Sequence, residues 1–255
     1  MLHKHNTIYI HLVLLLVLLF CLPILAQQQS VSTSNNSAAA LGKAKQPDAP
    51  SAIAERFFNG MNAGDKFGTA VSSAGDVNGD GYGDVIVGAD GNNGNTGKAY
   101  IFFGGNIINN MPDVTLTGEA FGDRFGYSVS TAGDVNGDGY SDVIVGAYVN
   151  GSFTGKSYLY FGSYTISGNI TASNADVTMT GEATSNFFGY SVSSAGDVNG
   201  DGYSDVIVGA YGNTINTGKS YIYFGGSTMN PTANVTLTGE VTGDRFGISV
   251  SSTGD

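Results

Sequence analysis

Residues 72–89 read SSAGDVNGDGYGDVIVGA, and the string returns as STAGDVNGDGYSDVIVGA at 130–147 and SSAGDVNGDGYSDVIVGA at 193–210. A fourth copy reaches its first aspartate at Asp255. The opening aspartates Asp76, Asp134, Asp197 and Asp255 are separated by 58, 63 and 58 residues. The chain is therefore assembled from units of about 60 residues, long enough for four strands each.

Every unit contains D-x-N-x-D-G-Y-x-D. The oxygen donors are Asp76, Asn78, Asp80 and Asp84 in the first copy, Asp134, Asn136, Asp138 and Asp142 in the second, and Asp197, Asn199, Asp201 and Asp205 in the third. They fall at loop positions 1, 3, 5 and 9, glycine at 6 permits a sharp turn, and Tyr82, Tyr140 and Tyr203 at 7 can offer a backbone carbonyl. Hard oxygen donors at this spacing suit calcium, and three carboxylates in nine residues repel one another until a divalent cation intervenes. The rival without metal is an Asx-rich turn, which needs only one or two such residues rather than the whole set in register. An EF-hand would require Glu at position 12, where this chain has Val87, Val145 and Val208, and helices on both sides. The expectation is one Ca2+ per complete repeat, three in all.

After each loop comes DVIVGA, a β-branched apolar run bounded by glycine. Before it stands an alternating segment such as FGTAVSSAG or FGYSVSSAG. A third, aromatic-rich strand follows in GKAYIFFGG, GKSYLYFG and GKSYIYFGG, and a fourth in DVTLTGE, DVTMTGE and NVTLTGE. No helical period appears beyond the first 25 residues, and Gly, Asn, Ser and Thr punctuate the strand ends. The fold class read from this pattern is all-β: a β-propeller of four-stranded antiparallel blades, with three complete repeats and the start of a fourth.

These residues resemble the FG-GAP repeats of integrin alpha chains and many secreted bacterial proteins. The FG pairs are Phe67-Gly68, Phe125-Gly126, Phe188-Gly189 and Phe246-Gly247; the GA pairs are Gly88-Ala89, Gly146-Ala147 and Gly209-Ala210, followed by Asp90, Tyr148 and Tyr211 where proline is usual. The resemblance covers Gly64 to Asp255. It implies a seven-bladed propeller, calcium in the hairpin loops, and a role in adhesion or ligand recognition without catalysis. Propellers close with roughly four to eight blades, and a strand that stops at Asp255 leaves an edge unpaired, so further blades are expected downstream.

Residues 1–26 carry Lys4, then LVLLLVLLF, and end in a small residue at Ala26. This reads as a secretory signal peptide, too short in its apolar run to span a bilayer. Cys21 as a lipidated residue is the alternative, opposed by the bulky Phe20 before it. Residues 27–54 are rich in Gln, Ser, Asn, Ala and Pro and read as a flexible linker, and 55–255 as the repeats, with the ERFFNG segment at Glu55 offering an outer strand.

The net charge is −11, but nine of the 21 acidic residues sit in the complete loops and a tenth is Asp255. The ten Lys and Arg residues are scattered, which argues against nucleic acid as a partner. His3, His5, His11 and Cys21 all belong to the signal, so residues 27–255 hold no histidine or cysteine for a triad, a zinc site or a histidine base. Glu119, Glu182 and Glu240, like Lys98, Lys156 and Lys219, recur once per unit, which suits a structural or solvated role rather than a unique catalyst. Four N-x-S/T sequons, at Asn35, Asn150, Asn169 and Asn234, arise easily in such sequence.

In an up-and-down sheet the connections alternate between two ends. The aspartate loops then share one end, and residues 90–97, 148–155, 211–218, 119–123, 182–186 and 240–244 share the other. The latter vary while the aspartate loops do not, as a recognition surface does; Phe121, Tyr148, Phe153 and Tyr211 are its aromatic candidates. The first reading is a secreted or cell-surface calcium-binding module that recognises an extracellular protein or glycan. An accessory propeller of an extracellular hydrolase and a purely structural surface-layer repeat are the alternatives.

Overall fold

The computed structural model describes residues 62–106 and 110–252. The signal peptide, the linker and the Glu55 segment lie outside the described residues. Thirteen strands are present among them: β1 (Val71–Gly75), β2 (Asp84–Ala89), β3 (Lys98–Phe102), β4 (Val114–Thr117), β5 (Ser128–Gly133), β6 (Asp142–Ala147), β7 (Lys156–Tyr160), β8 (Gly168–Thr171), β9 (Val177–Thr180), β10 (Ser191–Gly196), β11 (Asp205–Ala210), β12 (Lys219–Tyr223) and β13 (Val235–Thr238). They form three sheets, ordered β1-β2-β3-β4-β8, β5-β6-β7-β9 and β10-β11-β12-β13. The four repeat strands of each sheet pair antiparallel. The architecture is all-β and propeller-like, with four-stranded blades.

The first strands β1, β5 and β10 lie side by side, so successive sheets meet at their inner strands. The sheets are sandwiched face to face, which explains why the second and third strands read as continuous apolar runs instead of alternating ones: both faces are covered. One core gathers Ala74, Ile86, Ile101 and Leu116 of the first sheet with Val129, Val145, Tyr158 and Tyr160 of the second. Another joins Ile144, Leu159 and Met179 of the second sheet to Val208, Tyr221 and Tyr223 of the third. Three of the four FG phenylalanines pack against the Tyr-x-Tyr or Tyr-x-Phe of their own third strand: Phe67 on Tyr100 and Phe102, Phe125 on Tyr158 and Tyr160, Phe188 on Tyr221 and Tyr223, at ring-centroid distances of 5.4–6.5 Å.

The FG and GA glycines are a single device. The Gly126 N–H donates to the Gly146 carbonyl of its own sheet at 3.1 Å, while its carbonyl faces Gly88 of the preceding sheet, where a Cβ would lie 1.9 Å from it. The same approach recurs between Gly189 and Gly146 at 2.1 Å and between Gly247 and Gly209 at 1.9 Å. Ser128 and Ser191 hydroxyls complete the junction by donating to the Gly189 and Gly247 carbonyls, both at 2.8 Å.

The 63-residue spacing has a structural cause that the sequence reading did not supply. In the connection between β7 and β9, the chain makes the extra strand β8, which pairs in parallel with β4 and adds a fifth strand to the first sheet. Ile166 and Ala172 on its flanks are buried, and Ile170 packs against the first core. Parallel addition by a segment of the second repeat covers the outer edge of the first sheet and ties the two together.

Two substitutions separate these effects. Gly88→Ala, at a backbone conformation open to any residue, is expected to cost about 3 kcal/mol or more because its methyl meets a fixed carbonyl. Leu116→Ala, in the fully buried core, is expected to cost about 2–5 kcal/mol through the cavity it leaves. Denaturant unfolding of each variant measures both.

Candidate functional site

The loop after β1 begins with a bulge. Pairing slips between Ser73 and Gly75, and likewise between Thr131 and Gly133 and between Ser194 and Gly196. Glycine is required at its end because φ is +76° to +77° in all three copies. The bulge turns the chain out into the aspartate loop.

Within the first loop, Asp76 gathers the backbone. Its Oδ1 accepts from the Gly79 and Asp80 N–H groups at 2.8 and 3.1 Å, and its Oδ2 accepts from the Gly81 N–H at 2.8 Å. Asn78 Oδ1 accepts from the Asp80 N–H at 2.9 Å, and Asp80 Oδ1 from the Tyr82 N–H at 2.9 Å. Asp134, Asn136 and Asp138 repeat this set bond for bond, as do Asp197, Asn199 and Asp201. Positions 1, 3 and 5 are thus wrapped round one side of an exposed loop.

Position 9 has a second task that the spacing alone did not reveal. Asp84 is buried; its Oδ2 accepts from the Val77 N–H at 2.9 Å and its Oδ1 from the Gly104 N–H at 2.7 Å. Asp142 does the same with Val135 and Gly162, both at 2.8 Å, and Asp205 with Val198 and Gly225, both at 2.9 Å. The residue clamps the start of its loop to the connection after the third strand. Each carboxylate oxygen keeps a further lone pair for a ligand.

Burial pushes the carboxyl of Asp84 up to about 6 and that of Asp142 up to about 7, against the pull of their two backbone donors and with the added repulsion of the carboxylates at positions 5 and 1. Asp205 moves in the same direction for the same leading reason. Among the described residues no three Asp, Glu, His or Cys side chains are gathered closely enough to hold an ion by themselves. A hard divalent cation bound there would have to take the asparagine oxygen and the position-7 carbonyl as well as the carboxylates. A cation there would relieve the repulsion that raises position 9.

At the opposite end of the sheets, residues 90–97 meet residues 118–125. Arg124, Phe125 and Gly118 N–H groups donate to the carbonyls of Asn95, Thr96 and Gly97. Asn92–Asn95, Asn150–Phe153 and Asn213–Asn216 each make a single short helical turn with left-handed residues inside, including Asn93, Phe153 and Ile215 at φ of +46°, +66° and +57°. Glu119 and Glu182, read as structural, pair with Lys156 and Lys219 of the next sheet at 2.7 and 2.8 Å.

The residue after each GA decides what its junction is made of. Asp90 is buried and accepts from Arg124 Nη1 at 2.7 Å and from the Thr69 hydroxyl at 2.8 Å, with Lys66 Nζ 3.8 Å away. Tyr148 and Tyr211 are instead flanked by rings. Phe187, which stands where the other junctions have Lys66, Arg124 and Arg245, stacks on Tyr211 at 4.9 Å and 8° and lies 6.2 Å from Tyr148. Tyr127 and Tyr190 extend the cluster at 4.5 Å from Tyr148 and 4.6 Å from Tyr211, and Phe153 joins through Phe187 at 5.2 Å. Of the sequence candidates, Tyr148, Phe153 and Tyr211 come together here, whereas Phe121 stands apart, 82% exposed and laid over Gly94. Tyr127, Phe187 and Tyr190 were missed, although the Tyr after FG in two copies was a signal for Tyr127 and Tyr190. Beside Phe187 a groove of about 550 Å3 is lined by Glu182, Asn186, Asn213, Ile215 and Lys219.

The FG-GAP repeat model matches residues 67–102, 125–160 and 188–223, the first three strands of each sheet. The chain is an FG-GAP repeat protein of the integrin-alpha-like kind. It is 30% identical to integrin alpha-5 of Xenopus laevis over 193 residues, 71% of this chain and 18% of that protein. Integrin alpha-6 of Gallus gallus is 32% identical over 193 residues, 73% of this chain and 17% of that one. Phosphatidylinositol-glycan-specific phospholipase D of Bos taurus is 36% identical over 161 residues, 57% of this chain and 18% of that one. The chain spans less than a fifth of the length of these relatives.

Removing the Arg124 guanidinium strips the buried Asp90 of its shortest partner. Arg124→Ala is expected to cost about 2 kcal/mol, the size of a hydrogen bond to a charged group, whereas Lys156→Ala, which breaks an exposed pair, is expected to cost less than about 1 kcal/mol. Thermal unfolding of the two variants makes the comparison.

Proposed function

We propose that this chain is a secreted or cell-surface calcium-binding β-propeller module for adhesion or for recognition of an extracellular protein or glycan, without catalysis of its own. The observation that carries the calcium reading is the threefold identity of the oxygen arrangement at positions 1, 3, 5, 7 and 9, from Asp76 to Asp84 and its two copies. In it, Asp76, Asn78, Asp80, the Tyr82 carbonyl and Asp84 hold the first Ca2+, with Asp134–Asp142 and Asp197–Asp205 holding the second and third. The ions act as staples: they bind only the folded loop, so their binding free energy adds to stability. This suits a chain whose one cysteine is Cys21.

Recognition falls to the opposite end, where the sheets carry different residues on the same backbone. Half-exposed rings supply contact area with few torsions to freeze, and the Asp90 junction offers charge instead. Among the described residues no helix is long and apolar enough to cross a membrane. The likeness to a phospholipase D favours one second reading, an accessory propeller beside a catalytic domain elsewhere in a longer protein.

Thermal melts with excess calcium and with chelator test the first reading, and calorimetry counts the ions. Three bound ions and a large fall in melting temperature on chelation are expected; an unchanged melt with no binding would leave the loops as turns. Asp134→Asn, which removes one position-1 carboxylate, is expected to reduce the count to two.

A further inference from the structure

The aspartate loops are not independent of one another. The second leans on the first: the Ser141 N–H donates to the Asp76 carbonyl at 3.0 Å and the Ser163 N–H to the Val77 carbonyl at 2.9 Å. The Tyr140 ring lies directly over Gly79, where a Cβ would stand 2.5 Å from a ring carbon. The third loop leans on the second in the same way, through Ser204 to Asp134 at 3.0 Å, Gly226 to Val135 at 2.7 Å, and the Tyr203 ring over Gly137, again with 2.5 Å to a would-be Cβ. The contacts run in one direction. Positions 7 and 8 of one loop brace positions 4 and 1 of the loop before it, and the connection after the third strand braces position 2.

A Cβ on Gly200, the position-4 glycine of the third loop, would meet nothing within 4 Å, and Tyr82 of the first loop is 44% exposed with its ring over none of the position-4 glycines. The braced stretch is the one that presents the position-1 carboxylate, since the Gly79 N–H donates to Asp76 Oδ1 at 2.8 Å with Gly79 held at φ +75°. Holding that stretch in place before an ion arrives removes part of the ordering cost of binding. Tyr140 is also the position-7 residue of its own loop, so one residue serves two sites: its carbonyl belongs to the second loop and its ring to the first.

We infer that Tyr140 and Tyr203 are positioning residues for the ion site of the preceding loop and that adjacent loops load calcium cooperatively. This rests on the calcium reading above. Coupling of this kind is reciprocal, so an ion in the second loop that steadies Tyr140 strengthens the first site, and an ion in the first strengthens the second.

Calcium titration calorimetry on the whole chain tests it. In a background in which D134N and D197N leave the first loop as the intact one, Tyr140→Ala is expected to weaken binding about tenfold. Tyr140→Phe keeps the ring and is expected to bind as the background does. Tyr164→Ala makes the same chemical change at an exposed tyrosine outside the aspartate loops and is expected to shift affinity less than about twofold. If Y140A does not fold, a matched pair replaces it: Gly79→Ala and Gly200→Ala share backbone strain, at φ +75° and +76°, but only the first meets a ring. The inference then requires G79A to weaken the first site more than G200A weakens the third. Equal effects of Y140A and Y164A, or three equal and independent sites in the parent chain, overturn the coupling while leaving calcium binding intact. Absence of any calcium heat, with an unchanged melt, overturns the calcium reading and the coupling together.

Discussion

Successive sheets approach one another backbone to backbone. The carbonyls of Gly126, Gly189 and Gly247 lie against Gly88, Gly146 and Gly209 of the preceding sheet so tightly that only hydrogen fits between them. This contact sets the step from one sheet to the next, and the rest follows from it. A constant step brings the inner strands β1, β5 and β10 together, lets large rings such as Tyr158 and Phe188 fill the widening space further out, and stacks equivalent loops above one another at each end. The FG and GA motifs recur because two strands cannot approach this closely if either carries a side chain at the crossing.

The two ends of the sheets then diverge in chemistry. At one end the aspartate loops satisfy their own backbone and differ little between copies, as the demands of a hard cation or of a fully bonded turn would require. At the other, the loops vary, and where the residue after each GA differs its partners differ with it. Asp90 is met by Arg124 and Lys66; Tyr148 and Tyr211 are met by Phe187. A carboxylate buried in a junction needs cationic or hydrogen-bonding neighbours, and a tyrosine in the same place is better served by another ring. The scaffold tolerates either because the backbone bonds between residues 95–97 and 118–125 hold the loops whatever the side chains are.

The repeated strings made the four strands, their antiparallel order and the aspartate loops legible before any coordinates, since each is a local property of period, turn chemistry and spacing. Three features were not legible. Strand β8 hides in residues 168–171, whose short polar sequence GNIT carries no strand period and pairs only because the edge of another repeat lies beside it. Asp84 reads as one more ligand until Val77 and Gly104 are seen converging on its two oxygens. Tyr127, Phe187 and Tyr190 stand far from Tyr148 and Tyr211 in sequence and meet only where sheets adjoin.

What the sequence by itself determined is the content of one unit: its strands, its turn glycines and its set of oxygen donors, all of which depend on neighbours within a few residues. What only the tertiary structure decided is how one unit bears on the next. Tyr140 over Gly79, Arg124 on Asp90 and β8 beside β4 each join residues of different repeats, and near-identical repeats cannot announce which copy they touch. That choice is made by the glycine-to-glycine step between sheets, a distance that exists only once the chain has folded.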